Sequence, residues 1–170
     1  MAIAATATGC APAISAGFHV DRNQDFAQYH SFEWGPADAL PTGDARLDRN
    51  PFFKDHVQGA IERQLAVKGY ELVSGPADLL VQYHANISQR IDVNATDRVH
   101  GYCPAEGCQT VMVYEAGTLV VDIIDARTGT LVWRGWAQNP VDNMLRDQGA
   151  MARTIELAVK QMLQRLPPVL

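Results

Sequence analysis

The sequence predicts an α+β fold in which two amphipathic helices cover one face of a β-sheet. One segment alternates apolar and polar residues from Leu79 to Val93, which is typical of a strand with one buried face. Two other segments repeat apolar residues every three or four positions, which is typical of a helix with one buried face. We therefore expect the order β-α-β-β-β-α, folded as a two-layer sandwich whose four-stranded sheet is mostly antiparallel.

The size and composition of the chain exclude several classes of protein. Its 170 residues are enough for one domain, and 47% apolar against 19% charged residues indicates a globular chain. The formal net charge is −5 and the Lys and Arg residues are scattered, so the charge pattern speaks against nucleic-acid binding. No stretch of the sequence approaches the roughly 18 apolar residues of a membrane-spanning helix.

The first predicted strand contains Phe32 and Trp34, which are two residues apart and therefore share one face. Gly35 and the proline after it end this strand. Residues 36–50 then form a polar loop with two prolines, which is long for a compact domain. This loop either carries function or wraps the surface.

Two helices are predicted. The first begins at Asn50, the N-cap, with Pro51 at the first helical position, and Gly69 stops it. The second spans residues 143–166 and ends at Pro167. The buried stripe of the first helix recurs every four residues, at Phe53, Val57, Ile61 and Leu65.

Three consecutive strands lie between the helices and are expected to form an antiparallel meander. In Leu79–Val93 the odd positions are apolar except Gln89 and the even positions are mostly polar, so one face is buried and the other is solvated. The second strand spans residues 111–125 and the third spans residues 131–137. The turn DARTGT joins them, with Gly129 suited to a left-handed conformation.

The N-terminus resembles a bacterial lipoprotein signal. The motif ATGC at residues 7–10 places small residues directly before Cys10, as a lipobox does, and two or more acyl chains on such a cysteine give stable membrane anchoring. The alternative is an ordinary terminus with an unmodified cysteine. The sequence thus predicts a signal-peptide remnant (1–9), a lipidated tether (10–20) and a single domain (21–170).

Two further cysteines, Cys103 and Cys108, are separated by a short turn that can bring their sulfur atoms together. If Cys10 carries a lipid, these two remain as a pair, and in an oxidising compartment they are expected to form a disulfide. The alternative is a zinc site that adds His100. The disulfide is preferred because a fourth zinc ligand is missing, so we predict no metal.

Several segments resemble the DUF4136 family of bacterial envelope lipoproteins. The most specific are ADLLVQYH at residues 77–84 and GTLVVDIIDARTGTLVWRGWA at residues 117–137, and the resemblance extends over residues 21–167. It implies secretion and a lipid anchor at Cys10. The family has no established activity, so the resemblance supplies no catalytic residue.

A polar cluster is predicted on the solvated face of the sheet. His84 on the long strand, and Asp122 and Arg134 on the next two strands, do not belong to the core and are expected to be neighbours. A His–Asp pair can transfer protons and Arg can hold an anion. Alternatively, the three form a solvated polar surface. Trp136 points away from the face of Trp133, and it either packs under a loop or anchors a protein partner.

The sequence contains no recognisable nucleophile motif, phosphate-binding loop or zinc-protease signature. We therefore predict a non-enzymatic, lipid-anchored cell-envelope protein without a cofactor. Its predicted partners are the membrane, through the lipid, and another envelope protein, but not nucleic acid. The alternative is a small periplasmic hydrolase or ligand-binding protein that uses His84, Asp122 and Arg134 or the 36–50 loop. Ala11, where inner-membrane lipoproteins typically carry Asp, favours the outer membrane, facing the periplasm.

Overall fold

The computed structural model of this protein describes residues 14–36, 42–91, 113–141 and 144–169. Within them the chain forms six strands and three α-helices. The strands are β1 (Ser15–Val20), β2 (Ser31–Trp34), β3 (Glu71–Leu72), β4 (Leu79–Ile91), β5 (Val113–Asp125) and β6 (Leu131–Pro140). The helices are α1 (Ala45–Asp48), α2 (Phe53–Val67) and α3 (Gln148–Leu163), and a short 3-10 helix spans Phe26–Gln28.

The strands form one mixed sheet in the order β1-β6-β5-β4-β2-β3. β1, β6, β5 and β4 pair antiparallel in that order, whereas β2 runs parallel to both of its neighbours, β4 and β3. The prediction of a mostly antiparallel four-stranded sheet is therefore wrong. β1 is rich in small residues and β3 has only two residues, so neither carries the apolar alternation by which a strand is recognised in a sequence.

Part of the predicted tether is a strand. Residues 15–20 form β1 at one edge of the sheet, with Ser15 opposite Gln138 and Val20 opposite Trp133. Pairing with β1 satisfies backbone N–H and C=O groups of β6 that would otherwise lie at an edge. The ordered sheet therefore begins before residue 21, because β6, near the other end of the chain, supplies the partner for this segment.

Helix α2 lies in the connection between the parallel neighbours β2 and β4. It begins at Phe53, slightly later than predicted, and the amide oxygen of Asn50 accepts the N–H of Phe52 at 3.0 Å in the preceding turn. Gly69 follows the helix with φ +92°, and the N–H groups of Gly69 and Tyr70 bond back to the last helical turn. This is a Schellman motif, which requires the left-handed conformation that glycine adopts without a Cβ clash.

The core lies between α2, α3 and one face of the sheet. Trp133 is fully buried there, with 0% of its surface exposed. Gly135 leaves room for close packing, because a Cβ at this position would collide with Trp133 and with Met162 of α3. The inward-facing residues of β4 and β5 carry odd numbers, and the buried ones are Leu79, Val81, Tyr83, Ala85, Ile87, Leu119, Val121 and Ile123.

The described part of the long polar loop, residues 42–50, lies beside the middle of β4 and reaches the start of β5. The N–H of Gly43 donates to the carbonyl oxygen of Ala85 at 2.7 Å. Arg46 of α1 makes two hydrogen bonds to the carboxylate of Glu115, at 2.8 and 3.0 Å. These contacts support the interpretation in which the loop wraps the surface.

Candidate functional site

The sheet face away from the helices carries polar side chains in register across β4, β5 and β6. Its members form three cross-strand rows, and we call this set the open face: Gln82–Asp122–Arg134, His84–Val120–Trp136 and Asn86–Thr118–Gln138. The structure therefore brings together His84, Asp122, Arg134 and Trp136, the four residues that the sequence placed on this side. They come together because even-numbered residues of β4 and β5 share the face opposite the core.

Asp122 and Arg134 form a tight ion pair at the centre of the open face. Both Nε and Nη2 of Arg134 donate to the carboxylate of Asp122, each at 2.6 Å. Asp122 is 4% exposed, whereas the side chain of Arg134 is 49% exposed and lies over it. The hydrogen bonds to Asp122 raise the pKa of Arg134 above its ordinary value. The pair therefore compensates its own charge, and Arg134 does not present an uncompensated cation to a ligand.

His84 is beside this pair but is not oriented by it. Its Nε2 lies 3.9 Å from Oδ2 of Asp122, which is beyond hydrogen-bond distance, and its side chain is 42% exposed. In a catalytic His–Asp pair the carboxylate holds the imidazole in one tautomer and orientation through a hydrogen bond. His84 lacks such a hydrogen bond, because the carboxylate of Asp122 accepts its hydrogen bonds from Arg134 instead.

Trp136 is the large exposed apolar side chain of the open face. It is 40% exposed, in contrast to the fully buried Trp133 three residues before it. Its indole packs against the backbone of Gly17 on β1, where a Cβ would lie 2.6 Å from Cε2 of the ring. Val120 is its partner on β5. The ring is therefore supported by β1 on one side and open to solvent on the other.

An apolar cavity in the described part lies between the core face of the sheet and the helices, and Asn86, Thr118 and Gln138 at one end of the open face also contribute to its lining. It has a volume of about 50 Å³ and is walled by core and helix residues such as Phe53, Val57, Leu119 and Ile155. His84, Asp122 and Arg134 are not among its lining residues. A hydrolase that used His84 would hold it in a pocket with the substrate, so this geometry weakens the hydrolase hypothesis.

One buried carboxylate, Asp125, escaped the sequence reasoning. Asp125 accepts the Tyr29 hydroxyl at 2.9 Å and caps the β5–β6 turn through the N–H groups of Arg127 and Thr128. Burial opposes ionisation of Asp125, but these hydrogen bonds outweigh it and lower its pKa. Burial, together with the bond to Asp125, raises the pKa of Tyr29 to about 12. In the sequence, the position of Asp125 as the first residue of the DARTGT turn could have indicated this role in the turn.

The predicted lipid and disulfide sites, Cys10, Cys103 and Cys108, lie outside the residues that the structure describes, as does His100. Among the described residues no group of three or more His, Cys, Asp or Glu side chains is placed to hold a metal ion. Within the same ranges, no helix has the length and apolar character needed to cross a membrane.

The fold and the open face define the class of protein: a two-layer α+β domain with helices on one side of a mixed sheet and polar rows on the other. The chain belongs to DUF4136, a domain of unknown function, whose family profile matches residues 18–168. The family description assigns no activity. A comparison with curated proteins finds no significant match.

Solved bacterial structures share this fold at low sequence identity. A DUF4136 family protein from Bacteroides thetaiotaomicron has a TM-score of 0.56 and 16% identity, covering 89% of this chain and 95% of its own. A PelC dodecamer from Paraburkholderia phytofirmans has a TM-score of 0.55 and 9% identity, covering 92% and 99%. A PDZ domain protein from Parabacteroides distasonis has a TM-score of 0.58 and 15% identity, covering 89% of this chain. The present chain spans only 35% of the length of that protein.

Proposed function

We propose that this protein is a lipid-anchored domain of the bacterial cell envelope whose open face binds another envelope component without catalysing a reaction. The observation that carries the proposal is the open face itself, where exposed Trp136 stands beside the charge-compensated pair of Asp122 and Arg134. Tryptophan is enriched among the side chains that contribute most to binding at protein surfaces.

Support for the anchor comes from the N-terminal motif ATGC and from family membership. The position of Cys10 also limits the distance between a lipid anchor and the first strand. Cys10 precedes Ser15, the first residue of β1, by five positions, which span at most about 18 Å when fully extended. A lipid on Cys10 would therefore hold the β1 edge close to the membrane, with the outer membrane, on its periplasmic side, favoured by Ala11.

The geometry favours binding over hydrolysis. A hydrolase that used His84 as a base would need the imidazole oriented by a partner, and the nearest carboxylate, Asp122, is bound twice by Arg134. His84 instead lies exposed in a cross-strand row with Val120 and Trp136. We assign these side chains to a recognition surface.

The anchor is tested with the protein expressed behind its native upstream sequence, beside Cys10→Ser. We expect a diacyl or triacyl increase in intact mass and membrane fractionation, both absent from the variant. An unmodified wild-type protein that stays out of the membrane fraction would contradict the anchor.

The surface is tested in the same cells with a photo-crosslinking amino acid at Thr118 on the open face, and at the exposed Lys160 of α3 as the matched control. We expect crosslinks to an envelope component from Thr118 and not from Lys160. Equal crosslinking from both positions would argue against the open face as the binding surface.

A further inference from the structure

We propose that the open face binds a neutral oligosaccharide, with Trp136 as the stacking platform and the flanking polar side chains as hydrogen-bond partners of the sugar hydroxyls. This inference rests on the proposed binding function and names the class of ligand. Three features of the described surface support this inference: the indole of Trp136 is supported and exposed, hydrogen-bonding groups flank it, and the charge of the surrounding surface is compensated.

The indole of Trp136 is held in place and still exposed. Gly17 allows the ring to pack against the β1 backbone, and Val120 pairs with Trp136 from β5, while 40% of its surface remains open. The face of an aromatic ring is electron-rich, and the axial C–H groups of a pyranose ring are slightly positive. A supported, exposed indole is therefore suited to stacking against a sugar ring.

Polar side chains flank the ring along β6. Gln138 donates through Nε2 to the Thr118 hydroxyl at 2.9 Å, which orients the amide and leaves its carbonyl oxygen as an acceptor. Arg134, on the other side of Trp136, uses Nε and Nη2 for Asp122, so Nη1 is not engaged in that pair. Sugar hydroxyls both donate and accept, and these groups offer both roles.

The charge around Trp136 indicates a neutral ligand. The positive charge of Arg134 is compensated by the buried carboxylate of Asp122, and the residues directly opposite Trp136, Gly17 and Val120, carry no charge. The imidazoles of His84, in the same row, and of His19, opposite Arg134, are the titratable groups beside them. An anionic polymer would need uncompensated cations at this surface. A charge-compensated surface of fixed donors and acceptors matches a neutral saccharide.

The surroundings of Trp136 favour a saccharide over a protein. The centre of a protein interface is a contiguous apolar patch, usually with several anchors. Among the described residues, Trp136 is the one large, highly exposed hydrophobic side chain of the open face, and its neighbours on β6 are Arg134 and Gln138. The other exposed large hydrophobic residues are Phe18, Phe52, Val67, Leu72, Val113 and Leu157, none of which belongs to the open face.

The test is a titration of ¹⁵N-labelled protein followed by NMR, through the indole N–H signals where Trp136 is present and through the backbone amide signals of β6 in every variant. The probes are the β-1,4-linked tetramers of glucose and of N-acetylglucosamine, at up to millimolar concentration, with tetragalacturonate as the anionic comparison. The variants are Trp136→Ala, Trp136→Phe and Gln138→Ala, and Leu157→Ala removes an exposed apolar side chain from α3 as the matched control. The remaining signals of each spectrum show that the variant is folded.

We expect at least one neutral tetramer to shift the Trp136 signal, while the buried Trp133 signal moves less. Trp136→Ala should weaken binding about tenfold or more, whereas Trp136→Phe, which keeps an aromatic face, should stay within about threefold of wild type. Gln138→Ala should weaken binding several-fold, and Leu157→Ala should leave it unchanged. Added salt should have little effect, because no ionic contact is involved.

Three results would overturn the inference: no response of Trp136 to either neutral tetramer, equal affinity in Trp136→Ala, or preference for tetragalacturonate. Failure here can be separated from failure of the proposed function. If the Thr118 crosslinker still captures an envelope protein while no neutral tetramer binds, the binding function stands and the saccharide inference is wrong. If neither occurs, both are wrong.

Discussion

At the scale of single residues, glycines decide how closely the layers approach. Gly135 lies on the core face of β6, where Trp133 and Met162 fill the space that a side chain would take. Gly59 lies in α2, where an added Cβ would approach Nη1 of Arg63 at 3.1 Å, the end of a flexible side chain. The same substitution therefore has opposite consequences at the two positions.

We predict that Gly135→Ala lowers the free energy of unfolding by about 1–3 kcal/mol, because the added methyl overpacks the core. Gly59→Ala is expected to raise it by roughly 0.5–1 kcal/mol, since alanine is the better helix former. Urea denaturation of both variants beside wild type measures the difference. Equal stability of the two variants would show that the contact at Gly135 relaxes without cost.

At the scale of elements, a single carboxylate joins the start of β2 to the start of β4. Oδ2 of Asp78 accepts the N–H groups of His30 and Ser31 and the hydroxyl of Ser31, each at 2.9 Å. The hydrogen bonds from the His30 and Ser31 backbone and from the Ser31 hydroxyl outweigh the effect of burial and lower the pKa of Asp78. This contact stabilises the parallel edge of the sheet, which has few other strand pairs.

We predict that Asp78→Asn lowers the free energy of unfolding at pH 7 by about 1.5–3 kcal/mol, the range for hydrogen bonds to a charged group. Because the folded-state pKa is depressed, the contribution of the carboxylate is present above its unfolded pKa of about 3.9 and is lost as the pH falls through the folded pKa. The wild-type advantage should therefore shrink below about pH 4.

The comparison is made by urea denaturation from neutral to acidic pH, with Glu71→Gln, an exposed carboxylate on β3, as the control. The control should match wild type throughout. A difference between Asp78→Asn and wild type that does not change with pH would mean that the charge of Asp78 plays no part.

At the scale of the whole molecule, the predicted lipid and disulfide would act at two separate positions in the chain. Cys10 lies five positions before Ser15, the first residue of β1, so a lipid on it would keep this edge of the sheet near the membrane. A bond between Cys103 and Cys108 would close a short loop in the segment that connects β4 to β5. Both predictions depend on secretion, and the disulfide also requires an oxidising compartment.

We predict that Cys103 and Cys108 of protein isolated from the envelope resist thiol-labelling reagents until a reductant is added. Replacing both with Ser should lower the free energy of unfolding by about 2 kcal/mol, because closing so short a loop removes little entropy from the unfolded chain. Labelling of both thiols without reductant would exclude the disulfide, and the zinc site with His100 would then become the leading hypothesis.

Several features could be predicted locally because their cause is local. The odd-numbered apolar residues of β4 identify its buried face, and the four-residue stripe of α2 identifies the side that meets the sheet. Helix boundaries were less accurate. α3 begins at Gln148, after the carboxylate of Asp147 caps two N–H groups, and not at residue 143.

The candidate site was predictable in part because the alternation of side chains along a strand is also a local property. Strand parity placed His84, Asp122, Arg134 and Trp136 on one side, and the structure brings them together there. Parity could not show that Arg134 would donate two hydrogen bonds to the carboxylate of Asp122. Nor could it show that Nε2 of His84 would lie 3.9 Å from that carboxylate. Those distances depend on the strand register and on side-chain conformations.

The sequence by itself determined the inward and outward faces of the long strands, the stripe and end of α2, and the left-handed turn at Gly129, since each follows from neighbours within a few residues. The tertiary structure alone decided that residues 15–20 join the sheet, that β2 runs parallel to β4, and that Gly17 supports Trp136. The physical reason is that a strand without an apolar pattern is stabilised by hydrogen bonds to a distant partner, and periodicity does not encode that partner.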